Sequence, residues 1–232
     1  MKSQPRLLIG LDVVTVLVMA VATYMVFGYA PIERVMGAVQ KVFYFHVAAG
    51  WVGMLGFLAA VVAGIAYLTS RKSVWDLVGL GAIEIGLTFM LINIITGSIW
   101  ARPIWNTWWT WDPRLTTATI MELVYAAYLM LRQGIEDPER RARFGAVYAI
   151  IGFISVPLTF FSIRIYRTIH PVVIGGGDPT VSGSFSMTPA MGATFAVSLV
   201  AFSFLFASLL WHRIRLGQLG ARVEQMKLKL TE

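Results

Sequence analysis

Apolar residues run along this chain in long blocks separated by short polar breaks. They do not alternate as they would in a half-buried strand. The blocks fall at about 7–29, 42–69, 76–100, 115–131, 144–163 and 190–212. A helix of about 20 apolar residues, rising 1.5 Å per residue, crosses the hydrocarbon core of a bilayer. All six blocks meet that length or come close, and the fourth is the weakest because it is short and holds Glu122. No ten-residue alternation of a membrane barrel is present. The pattern predicts an all-α, polytopic integral membrane protein with six transmembrane helices and no internal repeat. The first block follows Lys2 and Arg6, and Ala20-Val21-Ala22 has the look of a cleavage site. The apolar run continues to Tyr29, however, which is too long for a signal-peptide core, so it is read as a retained helix.

Composition agrees with the block pattern. The 232 residues are 57% hydrophobic and 13% charged, against about 25% charged in ordinary soluble domains. The mean hydropathy is +0.71. The net charge of +7 raises the question of nucleic acid, and the placement of the charges answers it. With six spans, thirteen lysines and arginines fall on the side of the termini and six on the other. The positive-inside rule then puts both termini in the cytoplasm and turns loops 30–41, 101–114 and 164–189 outward. Topology thus accounts for most of the charge. The cytoplasmic loop 132–143 reads as a solvated turn. The chain divides into a membrane domain, 1–212, and a cytoplasmic amphipathic basic tail, 213–232. In that tail Leu216, Leu219, Val223, Met226 and Leu230 recur at spacings of 3 and 4 between basic residues. Such a helix either lies on an anionic leaflet or forms a docking seam for a cytoplasmic partner.

The chemistry concentrates in the outer loops. There is no cysteine, which excludes disulfides, thiolate metal sites and covalent c-type haem attachment. Five of the eight tryptophans lie between Trp100 and Leu115. An interfacial belt explains one or two per helix end, whereas five describe an aromatic platform for a ligand. If that segment is helical, Trp105, Trp108, Trp109 and Asp112 share a face. Asp112-Pro113 also reads as the cap and first residue of the fourth helix. Of three histidines, His212 reads as interfacial. His46 lies near the outer end of the second block, and His170 lies in the third outer loop. Zinc usually wants three or four protein ligands. Two imidazoles alone suit a haem iron, whose other four ligands come from the porphyrin. Ala49, Gly50 and Gly53 would leave a shallow face beside His46 for a flat ring, or would serve close helix packing. Arg102, Arg114, Arg164 and Arg167 are candidates to pair with propionates. Such a site would open at the surface rather than midway through the membrane. Glu84 and Glu122 are intramembrane carboxylates without an assigned role, and no lysine or arginine of an apolar span is available to pair with them. Asn93 reads as interhelical glue, and Pro157 should kink the fifth helix.

Trp108-Trp109-Thr110-Trp111-Asp112-Pro113-Arg114-Leu115-Thr116-Thr117 resembles the tryptophan-rich "WWD" signature of haem-handling membrane proteins. The histidine contexts Phe43-Tyr44-Phe45-His46-Val47 and Arg167-Thr168-Ile169-His170-Pro171 match as well. By length and span count the whole chain is similar to the haem exporter protein C (CcmC) family of cytochrome c maturation. The resemblance implies a haem site on the outer face of the cytoplasmic (inner) membrane. It implies His46 and His170 as axial metal ligands, and Trp105, Trp108, Trp109, Trp111, Asp112 and Arg114 as haem-contacting residues in an outer segment 100–117. The haem would be b-type, non-covalent and transient. The implied partners are the haem chaperone CcmE, the transporter components CcmA and CcmB, and the small membrane protein CcmD. The sequence departs from the usual pattern at Asn106, where relatives often carry glycine, at Ile165-Tyr166, where they often carry tryptophan, and at Pro113.

The expected role is haem binding and delivery to a chaperone, without enzymatic chemistry. His170 would be the mobile ligand, on a loop with Gly175-Gly176-Gly177. Three alternatives predict different residues. A membrane b-type cytochrome needs histidines at mid-span. An extracytoplasmic lipid or quinone enzyme would use Glu122 and Asp112. A plain transporter would depend on Glu84.

Overall fold

A computed structural model describes residues 4–34, 36–166, 168–171 and 187–231. Among these residues every extended element is a helix. α1 (Arg6–Tyr24) passes into a π-helical turn, Met25–Tyr29. α2 spans Gln40–Ser70, α3 Ser73–Trp105 and α4 Pro113–Gln133. α5 (Pro138–Gly152) and α6 (Ser155–Ile165) form one interrupted rod, and α7 runs Pro189–Thr231. Five of these rods are long and apolar enough to cross a membrane, α1 with its π turn, α2, α3, α5–α6 and α7. The chain is therefore an integral membrane protein. α4 falls short because its first turns carry Arg114, Thr116, Thr117, Thr119 and Glu122.

Local chemistry sets the helix ends. Asp112 and Asp137 each precede a proline, and each accepts a hydrogen bond from the backbone N–H two or three residues on, at 2.9 and 2.7 Å. These are N-caps followed by proline at the first helical position, where its missing N–H costs nothing. The second of them turns much of the expected solvated loop 132–143 into helix. The interruption at Phe153–Ile154 lies just before Pro157. The ring of Pro157 opposes the carbonyl four residues back, so the chain breaks at Phe153 and restarts with Pro157 in the first turn of α6.

α2 and α3 share the longest seam, and small residues make it close. A Cβ added at Gly56 would lie 2.6 Å from the Ala82 carbonyl and 2.9 Å from Gly86 Cα. Backbones meet there as in other glycine-lined membrane contacts. Of the three small residues beside His46, Ala49 is buried and Gly53 meets Met90 across the same seam, while Gly50 borders a cavity that His46 also lines. Phe57 stacks on Tyr125 of α4 at 3.7 Å between ring centroids. Met121, Tyr125, Tyr128 and Arg132 form the buried face of α4.

Polar locks cluster at the end of the bundle where α3 begins. Arg132 grips Asp76 with two hydrogen bonds of 2.6 and 2.8 Å. Arg213 grips Glu84 at 2.5 and 2.9 Å, so this carboxylate does have a cationic partner. The sequence reading assigned Arg213 to a separate tail. It lies instead inside an unbroken α7, close enough to α3 to bridge. Asp12 is a further acidic residue inside a span, missed in the sequence. It accepts from Ser208 at 2.6 Å, from Gln4 at 2.7 Å, and lies 3.0 Å from the His212 ring. His212 therefore ties α7 to α1. Glu122 keeps one buried oxygen without a partner among the described residues.

Candidate functional site

At the other end of the bundle a cavity opens between the α2–α3 pair and the α4–α6 pair. α2 contributes His46, Gly50 and Met54, and α3 contributes Asn93, Gly97 and Trp105. Trp108 and Trp109 come from the following loop, and Arg114 and Met121 from α4. Val156, Thr159 and Phe160 of α6 complete the walls, with His170 and Pro171 across the mouth. His46 and His170, 124 positions apart by their numbers, therefore face one hollow. From His46 to Met54 the lining descends about 12 Å along α2, so the cavity reaches further into the bundle than the surface site expected.

Both imidazoles are oriented by backbone carbonyls. His46 Nδ1 lies 2.9 Å from the Asn93 carbonyl oxygen, which only an Nδ1–H can satisfy. Asn93 returns a hydrogen bond from its amide to the His46 carbonyl at 2.7 Å. His46 lies against Gly97, where an added Cβ would be 2.8 Å from Cε1. His170 Nδ1 lies 3.1 Å from the Pro171 carbonyl oxygen, so it too is the donor. Each ring thereby keeps its Nε2 lone pair for a ligand. A carbonyl on the far nitrogen is the usual way a metal-binding histidine is fixed in tautomer and direction. Burial, with Arg114 and His46 nearby, pushes the His170 pKa down to about 3, so this imidazole is neutral and able to ligate. Among the described residues no three histidine, aspartate or glutamate side chains gather as a metal cage.

The tryptophan segment is not a helix beyond Trp105. Asn106 ends α3 in the left-handed conformation, φ +54°, a position asparagine tolerates and glycine fills most easily. Thr107 Oγ1 then donates to the Trp109 carbonyl at 2.9 Å and accepts from its N–H at 3.4 Å, which competes with helix formation. Asp112 is held extended before Pro113. The expected single helical face is therefore a folded loop. Trp105, Trp108 and Trp109 still border the cavity, and Trp105 meets the His170 ring edge-on at 6.4 Å. Trp111 does not border it: it is 75% exposed and props Trp109 edge-on at 5.8 Å.

Asp112 does not border the cavity either. Its Oδ1 accepts from Arg114 N–H and from the Thr168 hydroxyl at 2.6 Å, and its Oδ2 accepts from Ile169 N–H at 3.0 Å. It joins the start of α4 to the segment that carries His170. Among the described residues, Arg114 is the one expected arginine that borders the cavity, its guanidinium donating to the Thr159 carbonyl. Arg102 turns instead to the Asn106 side chain. Arg164 lies exposed outside the cavity. Arg167 and Gly175–Gly177 fall outside the described residues.

Two histidines and the tryptophans Trp105, Trp108 and Trp109 thus border one cavity at one end of a helical membrane bundle. The family model described as "Heme exporter protein C" (CcmC) matches residues 1–229, and the chain belongs to that family. It is 32% identical over 225 residues to heme exporter protein C of Bradyrhizobium diazoefficiens, covering 96% of this chain and 83% of that one. It is 30% identical over 216 residues to the Rhodobacter capsulatus protein of the same name, covering 93% and 88%. The heme exporter protein C of Escherichia coli (strain K12) is 28% identical over 205 residues, covering 88% and 81%.

Proposed function

We propose that this protein binds haem at the outer face of the cytoplasmic membrane and delivers it to a haem chaperone for cytochrome c maturation. The observation that carries the proposal is the pair of imidazoles bordering one cavity, each with Nδ1 spent on a backbone carbonyl and Nε2 available. His46 and His170 would supply the two axial nitrogens. Trp105, Trp108 and Trp109 would pack against the ring, and Arg114 would meet a propionate. Trp111 and Asp112 would act from behind, bracing Trp109 and the His170 segment. Such haem is b-type and non-covalent, because the chain has no cysteine to attach it. Its hold is reversible, because one ligand sits on a loop segment and the other on a helix.

Six spans with both termini cytoplasmic follow from counting α4 as a span and from the thirteen-to-six distribution of lysine and arginine. The cavity then faces the periplasm or cell exterior. The chaperone is CcmE on the family expectation, with CcmA, CcmB and CcmD as companions. The role is one of binding and transfer, not of catalysis.

The test is haem titration of the purified protein in lipid nanodiscs, followed by transfer to a CcmE-type chaperone domain. His46→Ala and His170→Ala should each weaken the Soret change, and the double variant should abolish it together with transfer. A double variant that binds and transfers haem as the parent does would overturn the proposal.

A further inference from the structure

Asp112 does more than cap a helix, and it does not reach the cavity. We infer that Asp112 is a positioning residue that latches the His170 segment to the N-terminus of α4, so that releasing this latch frees His170. The inference rests on the haem reading above for its consequence, but on hydrogen bonds for its substance. Thr168 relays the latch: its hydroxyl donates to Asp112 Oδ1 at 2.6 Å and accepts from the His170 N–H at 3.0 Å. Ile169 N–H donates to Oδ2 at 3.0 Å. Three consecutive residues ending in the ligand are thus tied, directly or through one hydroxyl, to a single carboxylate. The carboxylate itself is fixed by the Arg114 N–H and by the positive end of the α4 dipole. Hydrogen bonds to an ionised acceptor are short and among the stronger ones. By contrast, His46 is held within the α2–α3 seam. The two ligands therefore differ in kind: one is built into a helix pair, and the other is clipped on. Delivery requires one ligand to leave first, and the clipped one can leave without unpacking the bundle.

Two variants separate this latch from capping alone. Thr168→Val removes the relay without touching α4, and Asp112→Ser keeps a good N-cap but is too short to hold both Thr168 and Ile169. In the haem-free protein, hydrogen exchange at the Ile169 amide should quicken at least tenfold in both. Haem release to excess apomyoglobin should quicken about tenfold, the scale on which removing support behind a metal ligand acts. Thr168→Ser should restore the parent rates, and Thr168→Val should add nothing in a His170→Ala background. Unchanged Ile169 exchange, or parent-like haem release in both variants, would overturn the latch. If His170→Ala itself leaves haem binding unaltered, the ligand assignment fails, while Ile169 exchange still decides the latch.

A second observation stands apart from the site. α7 continues unbroken past Arg213, and from Gln218 to Leu230 every residue is exposed. The start of this extension is seated on α3, with Gly217 against Leu77, and the rest projects beyond it. Leu216, Leu219, Val223, Met226 and Leu230 fill alternating a and d positions of a heptad. The flanking positions hold Arg215, Arg222 and Lys229 at g and Gly220 and Lys227 at e. Every charge beside the seam is basic, so a second copy would meet like charge in either parallel or antiparallel pairing. We propose that this seam docks an amphipathic helix of a protein partner with acidic residues at its flanking positions.

The probe is a synthetic three-heptad helix with leucine at a and d and glutamate at e and g, tested on the full protein in phosphatidylcholine nanodiscs. It should bind, and a combined R215E, R222E and K229E variant should bind it at least tenfold more weakly. A matching lysine helix should not bind. Equal binding of the two helices would overturn the proposal. A disulfide dimer formed by Met226→Cys would do so in favour of self-pairing. Protection of the 218–230 amides on adding phosphatidylglycerol would do so in favour of the lipid surface.

Discussion

Gly97 is the residue through which the His46 assignment is most sharply exposed to test. Its backbone lies against the imidazole, and an alanine Cβ there would be 2.8 Å from Cε1 and 3.3 Å from Nδ1. Carbon atoms rest at about 3.5 Å or more, so the ring must withdraw by about 0.7 Å. That movement acts on an Nδ1–H bond of 2.9 Å to the Asn93 carbonyl, worth about 1 kcal/mol in net terms. The larger effect is directional, because the bond fixes which way Nε2 points. Disturbing such support typically costs about 10–100-fold in metal affinity. The helix itself gains, since alanine is favoured over glycine by about 1 kcal/mol in a helix interior. Gly97→Ala should therefore weaken haem binding about tenfold or more, with no fall in melting temperature, and Gly97→Val should be worse. The assay is haem titration in nanodiscs followed in the Soret region, beside thermal melting of the haem-free protein. A Gly97→Ala protein with the parent's affinity and spectrum would refute the reasoning.

Further outcomes follow from other parts of the molecule. Arg132→Met strands the Asp76 carboxylate, whose pair is only 8% and 19% exposed, and should cost about 3–5 kcal/mol, read as the shift in SDS-induced unfolding. The double variant Arg132→Met with Asp76→Asn should recover most of that loss. Arg213→Met should cost less, because its pair with Glu84 is 28% and 34% exposed. The His170 pKa lies near 3 in the fold, against an ordinary 6.5, because burial disfavours its charged form. The unfolded chain then binds the extra proton, so stability is full above pH 6.5 and declines as pH falls from there toward 3. Melting temperatures measured at pH 7 and pH 5 should therefore fall further in the parent than in His170→Asn.

The helices were legible because long apolar blocks admit little else, and Asp112-Pro113 marked the start of α4, whereas the same pair at Asp137-Pro138 was passed over as part of a solvated turn. The fate of residues 106–112 was not legible. Spacing placed Trp105, Trp108, Trp109 and Asp112 on one face only if the helix ran on, and a left-handed Asn106 with the Thr107 side chain ended it. The stripe Ala49, Gly50 and Gly53 read equally as a ligand face or a packing seam. Only the α3 partner, through Met90 and Asn93, decided for packing over most of it. The break between His212 and Arg213 was misjudged for a related reason. Hydropathy stops where the membrane stops, but backbone hydrogen bonding does not, so α7 carries Arg213 back to Glu84. Asp12, with Ser208 and His212 one turn apart opposite it, offered a signal in principle: a charge inside an apolar block demands partners. The bond between Asp112 and the His170 segment had no sequence signal, since a long-range hydrogen bond leaves none.

The central claim is that two imidazole nitrogens from His46 and His170 hold one haem iron. Electron paramagnetic resonance of the ferric haem-loaded protein tests it most directly. The account predicts a low-spin, bis-imidazole signal in the parent, lost in both His46→Gly and His170→Gly and restored in each by added free imidazole. An unchanged low-spin signal in the double glycine variant without imidazole would contradict it.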